Sequence, residues 1–179
     1  MKNIFIILLI TLLFFSCEDD SVTNYEELNN EITSLDILDA IHLANKWANK
    51  YPDITIYVTY TQLIIEYPNN TNAFIPIPEN QMYVVIAPYI ETTHACETHY
   101  ISSCQGELKE TEFDLIIKEK DGAIFFDGSM TSLKNGFIEL WLPKNNEFDL
   151  SIFLNSQKVQ LNINTFETGI TCITTAKLK

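Results

Sequence analysis

Glu147-Phe148-Asp149-Leu150-Ser151-Ile152-Phe153-Leu154-Asn155-Ser156-Gln157-Lys158-Val159-Gln160-Leu161-Asn162-Ile163 is the stretch whose reading decides the fold. Phe148, Leu150, Ile152 and Leu154 recur at every second position, and so do Val159, Leu161 and Ile163 beyond Asn155-Ser156-Gln157. A period of two places one set of side chains on one face of a pleated strand, so the stretch reads as two strands joined by a short turn. Just upstream, Phe137 to Leu142 forms another strand, closed by Pro143. Asn135-Gly136 before it is the strongest short-range hairpin signal in the chain, with Met130 to Leu133 leading in. Further back, Glu112 to Lys118 and Ala123 to Phe126 flank the turn Lys120-Asp121-Gly122. Short strands at this spacing predict a β-sandwich with Trp141 in its core. A last strand carries Cys172-Ile173-Thr174-Thr175.

The region before position 88 has a different character. Leu35, Leu38, Ile41, Ala44, Trp47 and Ala48 form an apolar stripe at helical spacing. Thr33 or Ser34 can cap this helix, with Asp36 in its first turn, and Tyr51-Pro52 ends it. His42 lies beside the stripe and reads as a partly exposed helix residue. Ile54–Tyr60, Gln62–Tyr67, Ala73–Ile77 and Gln81–Ala87 then read as strands, broken by prolines and an Asn-rich loop. The expected class is α+β, mainly β. A small helix-plus-sheet region over 34–88 is followed by a β-sandwich-like domain over 89–179.

The start of the chain reads as a processing signal. Met1-Lys2-Asn3 is a short basic region, and Ile4 to Phe15 is an almost unbroken apolar run. That run falls short of the ~20 residues needed to span a bilayer and suits a secretory leader. Phe14-Phe15-Ser16-Cys17 resembles a bacterial lipobox, with Phe in place of the usual Leu and small residue. The expectation is a signal peptide over 1–16, lipidation of Cys17, and an acidic tether over 17–33 that holds the protein to a membrane of the cell envelope. Glu18-Asp19-Asp20 resembles the surface-export signals of some Bacteroidetes lipoproteins, which leaves the periplasm and the outer surface both open.

Composition excludes some functions. The 11 basic residues are all lysine, against 24 acidic ones, for a net charge of −13. Such a chain is a poor nucleic-acid binder, because phosphate contacts need cations. It also lacks the bidentate guanidinium forks that grip phosphate and carboxylate. The chain has only five glycines, with no Gly-rich phosphate loop among them.

The chemistry gathers in Thr92-Thr93-His94-Ala95-Cys96-Glu97-Thr98-His99-Tyr100-Ile101-Ser102-Ser103-Cys104-Gln105-Gly106-Glu107-Leu108. Two thiols and two imidazoles fall in the pattern H-x-C-x2-H-x4-C. With Cys17 lipidated, Cys96, Cys104 and Cys172 remain of the four cysteines. One disulfide plus a free thiol is one reading, and a three-thiolate metal site is the other. Thiols and imidazoles exclude a hard-oxygen calcium or magnesium site. Three thiolates suit Cu(I). Zinc is the competing metal, although the usual C-x2–4-C knuckle is missing. A thioredoxin-like role would want C-x-x-C, which is also missing.

Several pieces carry a family resemblance. Thr93-His94-x-Cys96-x-x-His99-x-x-x-Ser103-Cys104-x-Gly106-Glu107-Leu108 resembles the signature of CueP-like periplasmic copper-binding proteins. Tyr83-Val84-Val85-Ile86-Ala87-Pro88-Tyr89, Asn135-Gly136-Phe137-Ile138-Glu139-Leu140-Trp141-Leu142-Pro143 and Thr171-Cys172-Ile173-Thr174-Thr175 resemble further parts of that family. Together they cover roughly residues 36–179. The resemblance implies copper binding and resistance in the envelope, with copper donation to a periplasmic metalloenzyme client. It implies that Cys96, Cys104 and Cys172 are the copper residues, and that His94 and His99 are auxiliary ligands or lie just behind them. Glu167-Thr168-Gly169-Ile170 departs from the acidic, proline-containing run that usually precedes the last motif. The expected protein is a binder and not an enzyme, preferring Cu(I), with room for an oligomer. The alternative is a structural or adhesive β-sandwich surface lipoprotein with a stabilising disulfide.

Overall fold

The computed structural model describes residues 23–167 and 169–179. The expected leader over 1–16, Cys17 and the acidic run after it lie outside the described residues. The described residues form two helices and eleven strands, mainly β with a helical start, as the sequence predicts.

Helix α1 spans Tyr25–Thr33. The sequence reading made this part of a polar tether, and that is corrected. Asn24 accepts a hydrogen bond from the Glu27 N–H at 3.2 Å and caps the helix. Leu28 and Ile32, one turn apart, are its buried face. Tyr25 adds a partly buried contact with Tyr67, and the intervening Asn and Glu residues disguise the helix. Helix α2 spans Ile37–Trp47, and its cap is Asp36, whose side chain accepts from the Asp39 N–H at 3.0 Å. Ser34 instead closes α1. The buried face of α2 is Ala40, Ile41, Ala44 and Trp47. Leu38, expected in that stripe, is exposed because the face is centred on Ile41 and Ala44. His42 is exposed, as expected.

Strands β1 (Thr55–Val58), β2 (Gln62–Glu66), β3 (Asn72–Pro76) and β5 (His99–Tyr100) form one antiparallel sheet in the order β3-β2-β1-β5. Strands β6 (Glu112–Glu119), β7 (Ile124–Thr131), β9 (Glu147–Leu154) and β10 (Gln157–Asn164) form a second, in the order β10-β9-β6-β7. The decisive stretch is the β9–β10 hairpin, in register from Leu154↔Gln157 to Glu147↔Asn164. Between these sheets lies a third, β11-β4-β8, from β11 (Cys172–Ile173), β4 (Gln81–Ile86) and β8 (Ile138–Pro143).

Strand β4 holds the layers together. Tyr83 and Val85 belong to the core shared with the helices and the first sheet. Met82, Val84 and Ile86 belong to the core shared with the second sheet. A strand buried on both faces reads as a continuous apolar run, which is what Met82-Tyr83-Val84-Val85-Ile86 is. The stretches 34–88 and 89–179 are hydrogen-bonded to each other through this sheet. Trp141 is half-buried and packs on the helix-side core.

Asn135-Gly136 is a tight turn, with Gly136 at φ +83° and the Leu133 N–H donating to the Phe137 carbonyl at 2.8 Å. The strands it joins do not pair as a hairpin, which corrects the sequence reading. β7 pairs with β6, and β8 crosses to β4. Phe137, Ile138, Leu140 and Leu142 are buried, whereas β7 is largely exposed. Burial of β8 in the middle layer therefore decides its pairing, and the turn supplies only the change of direction. Among the described residues no helix is long and apolar enough to cross a membrane.

Candidate metal centre

Three segments converge at one end of β4. The loop between β4 and β5 carries His94 and Cys96. His99 opens β5, Cys104 follows it on a turn, and Cys172 opens β11. β11 runs parallel to β4, with Cys172 opposite Val85. β5 pairs with β1, with His99 opposite Val58.

Thr171 ties the segments together. Its hydroxyl donates to the Val58 carbonyl at 3.1 Å and accepts from the His99 N–H at 3.3 Å. The Thr171 and Cys172 N–H groups both donate to the Glu97 carbonyl, at 3.1 and 3.2 Å. Thr93 donates through its hydroxyl to the Thr174 carbonyl at 2.9 Å. The loop is thus laced to the strand that carries Cys172.

Two other contacts hold the loop. Glu107 Oε2 accepts the N–H groups of Ile90, Glu91 and Thr92, each at 3.0 Å. Charge-assisted bonds of this kind hold the Glu107 carboxyl below its ordinary range, with Thr92 the leading donor. Gly106 lies flat against Gly136, and a Cβ on Gly106 would meet the Gly136 oxygen at 2.6 Å. The Gly106 N–H donates to the Asn135 carbonyl at 2.6 Å. Thr171, Thr93 and Glu107 are the residues that sequence reasoning missed as parts of the site. Gly106, Glu107 and Thr171 stood in the quoted motifs, and that is the only signal that could have found them.

The three thiols are free. Cys96 Sγ lies 3.5 Å from Cys104 Sγ and 2.9 Å from the Thr98 carbonyl oxygen. Cys172 is fully buried, and its sulfur lies within 4.8 Å of the Cys104 sulfur. The Cys172 thiol is the main reason that the Cys104 thiol is pushed down to about 3; burial acts against this, and His99 and His94 add to it. Burial raises the Cys96 thiol, and contact with Cys104 together with burial drives the Cys172 thiol far up. One proton-poor sulfur therefore sits among proton-rich ones, with Cys104 as the first thiolate.

His99 is wholly buried, and neither ring nitrogen has a hydrogen-bond partner. Its ring packs on Phe137 with centroids 4.7 Å apart. A buried imidazole without partners is costly unless something else occupies it. One of its nitrogens lies within 4.8 Å of the Cys104 and Cys172 sulfurs, and these two are within the same distance of each other. His94, Cys96 and Cys104 form a second set within 4.8 Å. A d10 ion bound at about 2.0–2.3 Å places its imidazole and thiolate donors up to about 4.6 Å apart. Both sets have the donor types and the proximity that such an ion requires. The residues present therefore fit a soft metal ion, and all five donors predicted from the sequence are brought together.

Tyr83 stands behind this cluster. It is fully buried, its ring centroid lies 6.5 Å from that of His99, and its hydroxyl donates to Glu139 at 2.6 Å. Burial and the neighbouring Glu139 carboxylate push its phenol well up.

Residues 36–177 match the family model described as periplasmic copper-binding protein CueP. The crystal structure of S.CueP matches this fold with a TM-score of 0.75 at 25% identity, over 87% of this chain and 96% of that one. No curated protein matches the chain. The matched model describes a class of periplasmic copper-binding proteins. The family is CueP, and this chain belongs to it.

Proposed function

We propose that the chain holds copper as Cu(I) within the cluster of Cys96, Cys104, Cys172, His94 and His99, and that it protects the envelope by sequestration. The carrying observation is that three separate segments bring these five donors into two three-donor sets sharing Cys104, one of them holding a buried imidazole without a hydrogen-bond partner. The ion is cargo, and the site has the character of a store. Delivery to a periplasmic metalloenzyme client follows from the same reading, because a partly exposed loop carries two of the donors. Lipidation of Cys17 would keep that store at the membrane, and the periplasmic family fits it there.

Copper loading of the reduced protein, followed by thiolate-to-Cu(I) absorption against a competing chelator, tests the assignment. Cys104 belongs to both donor sets. Cys104→Ser is expected to weaken Cu(I) binding by at least about 100-fold, more than a change behind the ligands produces. Unchanged affinity and stoichiometry in that variant would show that the copper sits elsewhere. Zinc as competitor gives the metal preference in the same assay, with Cu(I) expected to win at thiolates.

A further inference from the structure

The five donors do not form one ring. They fall into two three-donor sets that share one atom, the Cys104 sulfur. The outer set is His94, Cys96 and Cys104, of which His94 is exposed and Cys96 half-buried. The inner set is His99, Cys104 and Cys172, all three buried. Each set offers two sulfurs and one imidazole nitrogen, so ligand type does not separate them. Two other properties do. Solvent reaches the outer set and not the inner one. The outer residues His94 and Cys96 sit on irregular backbone, whereas His99 and Cys172 sit on strands β5 and β11. Loop donors can open and close at little cost, and strand donors are fixed by ladder hydrogen bonds.

We infer that the two sets are successive positions of one copper ion, captured at the outer set and stored at the inner set, with Cys104 bound throughout. This rests on the reading that copper binds at this cluster. The step balances without a redox partner. The copper bonds to His94 and to the Cys96 sulfur break. Bonds to His99 and to the Cys172 sulfur form, and the bond to Cys104 is kept. The proton lost by Cys172 equals the one regained by Cys96, so the charge of the cluster and the oxidation state of copper do not change. Movement inward gives the His99 imidazole the partner that the protein itself does not supply. Movement outward is the route of release.

Two measurements on the full reduced chain test this. In the first, Cu(I) is presented as a chromogenic chelator complex and transfer is followed by stopped flow. The double variant His94→Ala with Cys96→Ser is expected to load at least tenfold more slowly than wild type. Cys172→Ser is expected to lose copper to excess chelator at least tenfold faster than wild type. In the second, copper-loaded wild-type protein is treated with iodoacetamide and mapped by mass spectrometry, which needs no variant to fold. Cys96 is expected to be alkylated while Cys104 and Cys172 are protected. Equal protection of all three cysteines, or wild-type loading by the double variant, would overturn the two-position scheme. Undiminished copper binding in Cys104→Ser would instead remove the reading beneath it.

Discussion

Replacing His99 by leucine should make the copper-free protein more stable and the copper-bound protein a poorer binder. The imidazole is fully buried with both nitrogens unpartnered. Leaving one buried polar group unsatisfied costs about 1–3 kcal/mol. A neutral imidazole presents one donor and one acceptor, so the substitution relieves at least one such group. Against this stands the ring contact with Phe137 at 4.7 Å between centroids. Aromatic pairs contribute about 0.5–1.5 kcal/mol beyond burial, and a leucine of similar size keeps most of the apolar contact. The balance is a gain of about 1 kcal/mol for the metal-free protein, or roughly 2–4 °C in Tm for a chain of this length. A tenfold loss of copper affinity would then remove about 1.4 kcal/mol of the copper-induced stabilisation at a fixed excess of metal. Thermal melts of the reduced protein with and without Cu(I) read both quantities. If His99→Leu lowers the metal-free Tm and leaves the copper-induced shift intact, the ring is a packing residue and the metal argument built on its orphaned nitrogens fails.

Three more outcomes follow from the same geometry. Copper loading at neutral pH should release about one proton fewer than the number of thiolates bound, because Cys104 is already ionised, with its thiol pushed down to about 3; calorimetry in buffers of different ionisation enthalpy counts the protons. Glu107→Gln should destabilise the protein by about 0.5–1 kcal/mol after solvent screening. The Glu107 carboxyl is held below its ordinary value of 4.5, so its contribution is complete above that pH and is lost as pH falls through the lowered value. The glutamine variant should lack that part of the acid-side loss in urea titrations, and an identical pH profile in both proteins would count against the clamp. Gly106→Ala should cost about 1–3 kcal/mol and weaken copper binding, because its Cβ would lie 2.6 Å from the Gly136 carbonyl oxygen and the turn holding Cys104 must shift; wild-type Tm and affinity in that variant would show that the two turns separate freely.

Much of the fold was legible because alternation over Phe148–Ile163 admits one physical reading, and the β9–β10 hairpin has the register it implies. The run Met82–Ile86 was legible as a strand but not as the middle of three layers. A doubly buried strand looks the same whether its second face meets a helix, a sheet or both. Asn135-Gly136 carries correct turn chemistry, yet the pairing of β8 is set by its own burial against β4, which no short-range signal encodes. Helix α1 hid because Leu28 and Ile32 are its buried residues and Tyr25 only edges onto the core, amid Asn and Glu. At the site, ligand types marked the loop residues directly. Cys172 was placed by family resemblance alone, since no spacing rule reaches from Cys104 to a strand that docks in parallel on β4. The unpartnered nitrogens of His99 could not be foreseen, because satisfaction of a buried group is a property of its neighbours in space.

The Thr171 hydroxyl bonds to the Val58 carbonyl across 113 residues of chain, and Cys172 joins β4 one position later. Closing such a long loop is slow, because its entropy must be lost before the contact is rewarded. The inner thiol is therefore expected to reach its partners late in folding, after the β9–β10 and β6–β7 hairpins, whose contacts are local. During that interval the three sulfurs are reactive strangers in a compartment that permits disulfides. Refolding yield should then depend on reductant far more in wild type than in Cys172→Ser, with the difference vanishing once β11 has docked. The strand that completes the Cys/His cluster also sets the period during which the chain is chemically most vulnerable.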